Sequence, residues 1–88
     1  EPIKVGRDFS RIESMGVGFA AGFVDGMIDS EGYINPKYTD IANQDIMLLE
    51  LTAKFLGMIG HKARIYGPYP YARGVAHLRV SKPLHKTK

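Results

Sequence analysis

The spacing of apolar residues along the chain changes period several times, and the changes mark out elements. Residues 16–30 follow a helical pattern, and Gly32 stands where a helix of that length would stop. Two short strands come next, "YIN" (33–35) and "YTDIA" (38–42), with Pro36-Lys37 at the turn between them. Residues 46–59, "IMLLELTAKFLGMI", return to a helical period and place Leu48, Leu51, Phe55, Met58 and Ile59 on one stripe. Asn43 or Asp45 is suited to cap the start of this helix, and Gly60 its end.

Two longer alternating segments complete the pattern. In "HKARIY" (61–66) Lys62, Arg64 and Tyr66 share one face, opposite Ala63 and Ile65. In "VAHLRV" (75–80) His77 and Arg79 share a face, opposite Ala76, Leu78 and Val80. The intervening "GPYPYARG" reads as a loop carrying Tyr69, Tyr71 and Arg73. The order α-β-β-α-β-β predicts an α+β domain: an antiparallel four-stranded sheet with both helices on one face and the other face left to solvent. Residues 1–14 have no clear period and read as a lead-in, and residues 83–88 as the start of a further helix.

With 88 residues the chain is a single domain, small enough that burial against a partner would add substantially to its stability. It has no cysteine, hence no disulfide framework and no thiolate metal site. The longest apolar run, Met15 to Val24, is about half of a membrane span, and no secretory signal pattern is present. These features predict an intracellular protein, cytoplasmic or nucleoid-associated, or organellar in a eukaryote. The first residue, Glu1, and the ending "PLHKTK" suggest a processed product or a piece of a longer protein.

The net charge of +3 conceals an asymmetry. All nine acids lie at or before Glu50, whereas eight of the twelve Lys and Arg residues lie beyond it. Five tyrosines lie between 33 and 71. A cationic strand face with tyrosines among the charges suits a polyanion.

Two features of the first helix call for explanation. Gly18, Gly22 and Gly26 recur every fourth residue and so lie on one face, bordered by Ala21. Each costs about 1 kcal/mol against alanine. A strip without side chains admits another helix backbone at close range, which predicts a tight helix–helix contact. Near the end of the segment stand Asp25, Asp29 and Glu31. Carboxylates are disfavoured at a helix C-terminus unless a cation compensates, and a hard divalent ion with oxygen ligands would do so.

The stretch "VDGMIDSEG" (24–32), continuing into strand residues "YI", resembles the motif of the LAGLIDADG homing endonucleases. Gly26, Ile28, Asp29, Glu31 and Gly32 match its third, fifth, sixth, eighth and ninth places, while Asp25 departs from the usual small residue at the second. A rival register, "AAGFVDGMI" (20–28), leaves the acid position to Met27 and is rejected. The later segments "IANQDIMLLELTAKFLGMIGHKARIY" (41–66) and "LRVSKPL" (78–84) are similar to that family's strand, helix and strand after the motif and to its fourth strand.

The resemblance implies a saddle-shaped sheet lying along duplex DNA, two motif helices packed together, and one metal-binding acid from each. Glu31 would be the catalytic metal ligand, with the Ser30 carbonyl beside it. The ion would be Mg²⁺ or Mn²⁺, with Ca²⁺ a non-cleaving substitute. Gly18, Ala21, Gly22, Asp25, Gly26 and Asp29 would form the helix contact. Lys82 would stabilise charge on the cleaved phosphate, and Asp40, or next Asn43, would position the attacking water. DNA contacts are expected from Tyr33, Asn35, Lys37, Tyr38, Lys62, Arg64, Tyr66, Tyr69, Tyr71, Arg73, His77 and Arg79.

A single motif implies a second unit, either another copy in a homodimer or the linked half of a longer protein. The expected partner is double-stranded DNA, with neither a membrane nor a small-molecule substrate. The leading expectation is a metal-dependent homing endonuclease unit. The alternative is a non-cleaving nucleic-acid-binding module, such as an intron RNA maturase or a transcription regulator on the same scaffold.

Overall fold

The computed structural model describes residues 14–84. Most of the expected lead-in, and residues 85–88 of the expected last helix, lie outside them; Pro83 and Leu84 are not helical. The element order is α1 (Gly16–Glu31), β1 (Gly32–Ile34), β2 (Thr39–Asn43), α2 (Ile46–Met58), β3 (Ala63–Tyr69), one 3₁₀ turn (Pro70–Ala72) and β4 (Val75–Val80). The strands form one antiparallel sheet in the order β1-β2-β4-β3. The fold is therefore α+β with an open four-stranded antiparallel sheet and two helices, as the pattern predicts.

Alternation along the strands decides which face is covered. In β4, Ala76, Leu78 and Val80 are buried while His77 and Arg79 are only partly so. Opposite β4, register places Thr39 and Ile41 of β2, and Ala63 and Ile65 of β3, on the buried side. Both helices pack on this side. α1 contributes Ala20, Val24, Met27 and Ile28, and α2 contributes Leu49, Phe55 and Leu56. Phe55 joins the helices, its ring 4.7 Å from Phe23 and 5.6 Å from Phe19.

The phase of α2 differs from the expected stripe. Leu49, Thr52 and Leu56 are buried with Phe55, whereas Leu48, Leu51, Met58 and Ile59 are only partly buried. Residues 46–59 are apolar almost all round, so spacing alone leaves the rotation of the helix poorly fixed. Thr52 is tolerated in the core because its hydroxyl donates to the Leu48 carbonyl at 2.7 Å. Asp45 caps the helix, accepting from the Leu48 N–H at 3.1 Å, while Asn43 accepts from the Asp45 N–H at 2.7 Å.

Gly32 ends α1, as expected, and does so without a left-handed turn. Its φ is −91° and ψ 156°, an ordinary extended conformation, and its N–H donates to the Ile28 carbonyl. A Cβ there would lie 2.6 Å from the Ile28 Cα. Only glycine lets the chain fold back over its own helix and enter β1 at once.

Candidate nucleic-acid interface

The open sheet face is built by the residues that alternate away from the helices. Tyr33, Asp40, Ala42, His77, Arg79, Arg64 and Tyr66 occupy it by register. Its centre is held by Asp40. Arg79 donates to one carboxylate oxygen through Nε at 3.1 Å and Nη2 at 2.9 Å, and His77 Nδ1 lies 2.8 Å from the other. The bond to Asp40 holds the Arg79 guanidinium above its ordinary pKa, against a smaller opposing effect of burial. Arg79 also lies 4.2 Å over the Tyr38 ring and 5.7 Å from that of Tyr66.

Aromatic residues flank this centre. Tyr69 and Tyr71 stack at 5.3 Å, and with Tyr66, His77 and Arg79 they line a concavity of about 310 Å³. Tyr71 is 84% exposed and Tyr33 63%. β3 runs further than expected, taking in Gly67, Pro68 and Tyr69 with a register shift after Tyr66. Gly67 has φ +95°, a backbone conformation that a side chain would strain, and this is where the strand bends. Lys62 and Arg64 are exposed, as are Lys37 in the β1–β2 turn and Arg73 in the β3–β4 turn. Asn35 commits its side-chain oxygen to that first turn, accepting from the N–H groups of Lys37 and Tyr38 at 2.7 and 2.8 Å.

Glu31 is the last residue of α1, exposed, and accepts a hydrogen bond from the Asn43 side chain at the end of β2. Asp40 is not beside it. Asp40 pairs with Tyr33, further along β1, and its carboxylate is engaged by His77 and Arg79. Asn43, the second choice from sequence, is the residue that meets Glu31. Gln44, which sequence reasoning missed, donates to the Arg73 carbonyl at 3.0 Å and ties the β3–β4 turn to this same end of the sheet. The polar run "NQD" (43–45) is the sequence signal for it.

Lys82 is placed elsewhere. Val80 pairs with Thr39 and Ala76 with Asn43, so Lys82 and Glu31 lie near opposite ends of β2, a strand that spans roughly 13 Å at 3.3 Å per residue. Within one chain the expected lysine does not join Glu31. The reason is topological: β4 runs antiparallel to β2, so a residue after β4 returns to the start of β2.

Within one chain the glycine strip contacts no helix. Gly18, Gly22 and Gly26 are exposed, and a Cβ at any of them would meet nothing within 4 Å. Ala21, Asp25 and Asp29 lie along the same outward side, while α2 packs on the opposite face through Ala20, Phe23 and Val24. The expected close helix contact is therefore absent inside the chain.

The oxygen donors at the end of α1 suit a hard divalent cation: the Glu31 carboxylate and the backbone carbonyls of the last turn. The Ser30 hydroxyl is turned back onto the helix, donating to the Gly26 carbonyl at 3.0 Å. Among the described residues no group of three or more His, Cys, Asp or Glu is placed to hold an ion. No described helix is long and apolar enough to cross a membrane. Compared with protein-family models, curated proteins and solved structures, the chain matches none.

Proposed function

We propose that the chain is one unit of a LAGLIDADG-type DNA endonuclease, which lays its open sheet face on duplex DNA and acts with a second unit. The observation that carries this reading is the position of Glu31. It ends the helix that bears the outward glycine strip, it is oriented by Asn43, and it stands where that helix passes into the sheet. Two copies meeting along Gly18, Gly22 and Gly26 would bring two such carboxylates together.

Each residue then has a stated task. Glu31 holds a divalent cation, and Asn43 fixes the carboxylate's orientation by its hydrogen bond. An ion held there, Mg²⁺ or Mn²⁺, would supply activation of water and stabilisation of the leaving oxygen. Lys62, Arg64 and Arg73 meet phosphates, which positions the duplex without reading it. Arg79 is held rigid by Asp40 and flanked by Tyr38 and Tyr66, so its remaining N–H groups can address base edges in a groove.

The second reading, a non-cleaving DNA- or RNA-binding module on the same scaffold, draws on the placement of Lys82 away from Glu31. The two readings part in one experiment. The purified chain is incubated with a randomised duplex library and Mg²⁺, ends are sequenced, and the oligomeric mass is measured in parallel. Defined cut sites support the nuclease. Binding without any cut in Mg²⁺ or Mn²⁺ supports the module.

A further inference from the structure

Two lysines and a histidine that the proposed nuclease site does not bring together with Glu31 converge at the other end of the sheet. β3 begins there and β4 ends, and a notch of about 210 Å³ is lined by Gly60, His61, Lys62, Val80, Ser81 and Lys82. We propose that this notch is a phosphate-binding site, taking either a backbone phosphate of a nucleic acid or a free phosphate group.

The site is built rather than incidental. Lys82 stands on a fixed backbone: the fully buried Thr39 hydroxyl donates to the Lys82 carbonyl at 3.0 Å and accepts from the Leu84 N–H at 2.7 Å. The opposite wall is fixed by the end of α2, where the His61 N–H donates to the Leu56 carbonyl at 2.9 Å and the Gly60 N–H to that of Gly57 at 3.1 Å. These bonds satisfy two of the helix's terminal carbonyls, whose partial negative charge would otherwise oppose an anion.

Among the described residues no ion pair engages Lys62 or Lys82, and Asp40 is already held by His77 and Arg79. His61 Nδ1 is buried and has no hydrogen-bond partner. Burial, and then the charge of Lys82, lowers the pKa of His61. A cation pair beside a depressed histidine is the electrostatic state an incoming phosphate anion relieves, and Ser81 adds a neutral donor at the rim. This assignment replaces a catalytic role for Lys82 with a holding one, and it does not depend on whether the chain cuts DNA.

The test uses the full chain at constant ionic strength. Inorganic phosphate is titrated in while amide and imidazole NMR signals are followed, with chloride as the control anion. Saturable shifts are expected at His61, Ser81 and Lys82, together with a rise in the His61 titration midpoint. Lys82→Ala should weaken phosphate binding about tenfold, the loss expected for one charged hydrogen bond. Its side chain is exposed and its anchoring bond is backbone, so the variant keeps the fold.

A duplex-DNA arm identifies the source. If DNA perturbs the same signals and Lys82→Ala lowers the salt slope of binding by about 0.9, the ligand is a nucleic-acid phosphate. If phosphate saturates the notch and DNA leaves it untouched, the ligand is a free or small-molecule phosphate. Shifts that chloride reproduces, or that survive Lys82→Ala unchanged, overturn the proposal. So does a loss of cleavage turnover in Lys82→Ala with DNA affinity and salt slope intact, since that is the mark of a catalytic lysine.

Discussion

Gly22→Leu separates the two explanations of the glycine strip by the sign of its effect. In a lone chain Gly22 is exposed and a Cβ there meets nothing within 4 Å, so a side chain can start there without a clash. Replacing glycine by leucine in an exposed helix interior then gains about 0.7 kcal/mol from propensity alone. For a domain of this size that corresponds to a melting temperature raised by roughly 3–6 °C. If two chains meet along this strip, the same leucine places four carbons where the facing backbone must lie, and the helices separate. Sedimentation velocity and thermal melts over a hundredfold range of concentration read both effects. The dimer account predicts a wild type whose melting rises with concentration and a variant of half its mass without that dependence. A variant that keeps the wild-type mass and melts higher would show that the glycines are merely exposed, and the paired-helix reasoning would fail.

Gly32→Ala should destabilise the fold by about 1–3 kcal/mol, because its Cβ would stand 2.6 Å from backbone rather than from a side chain that can move; an unchanged urea midpoint would contradict this. Asp40→Asn removes the single acid among the residues that register places on the open face and releases Arg79 and His77, so nonspecific duplex affinity should rise and its salt slope steepen by about 0.9 for a further phosphate met; weaker binding would show that Asp40 serves mainly to order Arg79. His61 has a folded pKa below its ordinary 6.5, so under that value the unfolded chain binds a proton the folded chain refuses, and stability falls as pH falls. His61→Gln should accordingly flatten the loss of stability between pH 7 and 5, measured by urea unfolding, and parallel curves for the two proteins would refute the assignment. Asn43→Ala should reduce cleavage more than Asp40→Ala does, since Asn43 alone of the two touches Glu31.

Much of the architecture was legible in the sequence because its strands are amphipathic with period two. "HKARIY" and "VAHLRV" each present one apolar and one cationic side, and the structure turns the apolar sides to the helices. The phase of α2 was not legible, because a helix apolar on nearly every side can rotate without changing its pattern. The length of β3 was hidden by Gly67 and Pro68, which read as loop residues yet sit within a bulged strand. At the candidate site, Glu31 and the outward glycine strip were accessible from the spacing of one segment. Partnerships across elements were not. Asp40 with His77 and Arg79, Asn43 with Glu31, and Lys82 with His61 all depend on sheet order and register, which no local stretch encodes.

On the proposed reading Glu31 is a cation ligand for cutting DNA rather than a surface acid. The most direct measurement compares wild type and Glu31→Gln on a duplex that the wild type binds, in Mg²⁺ and then in Ca²⁺, scoring binding and cleavage separately. The expected result is cleavage by the wild type in Mg²⁺ only, cleavage lost in Glu31→Gln, and duplex binding retained in both proteins. Equal cleavage by the two proteins, or a wild type that binds tightly and never cuts, would contradict it.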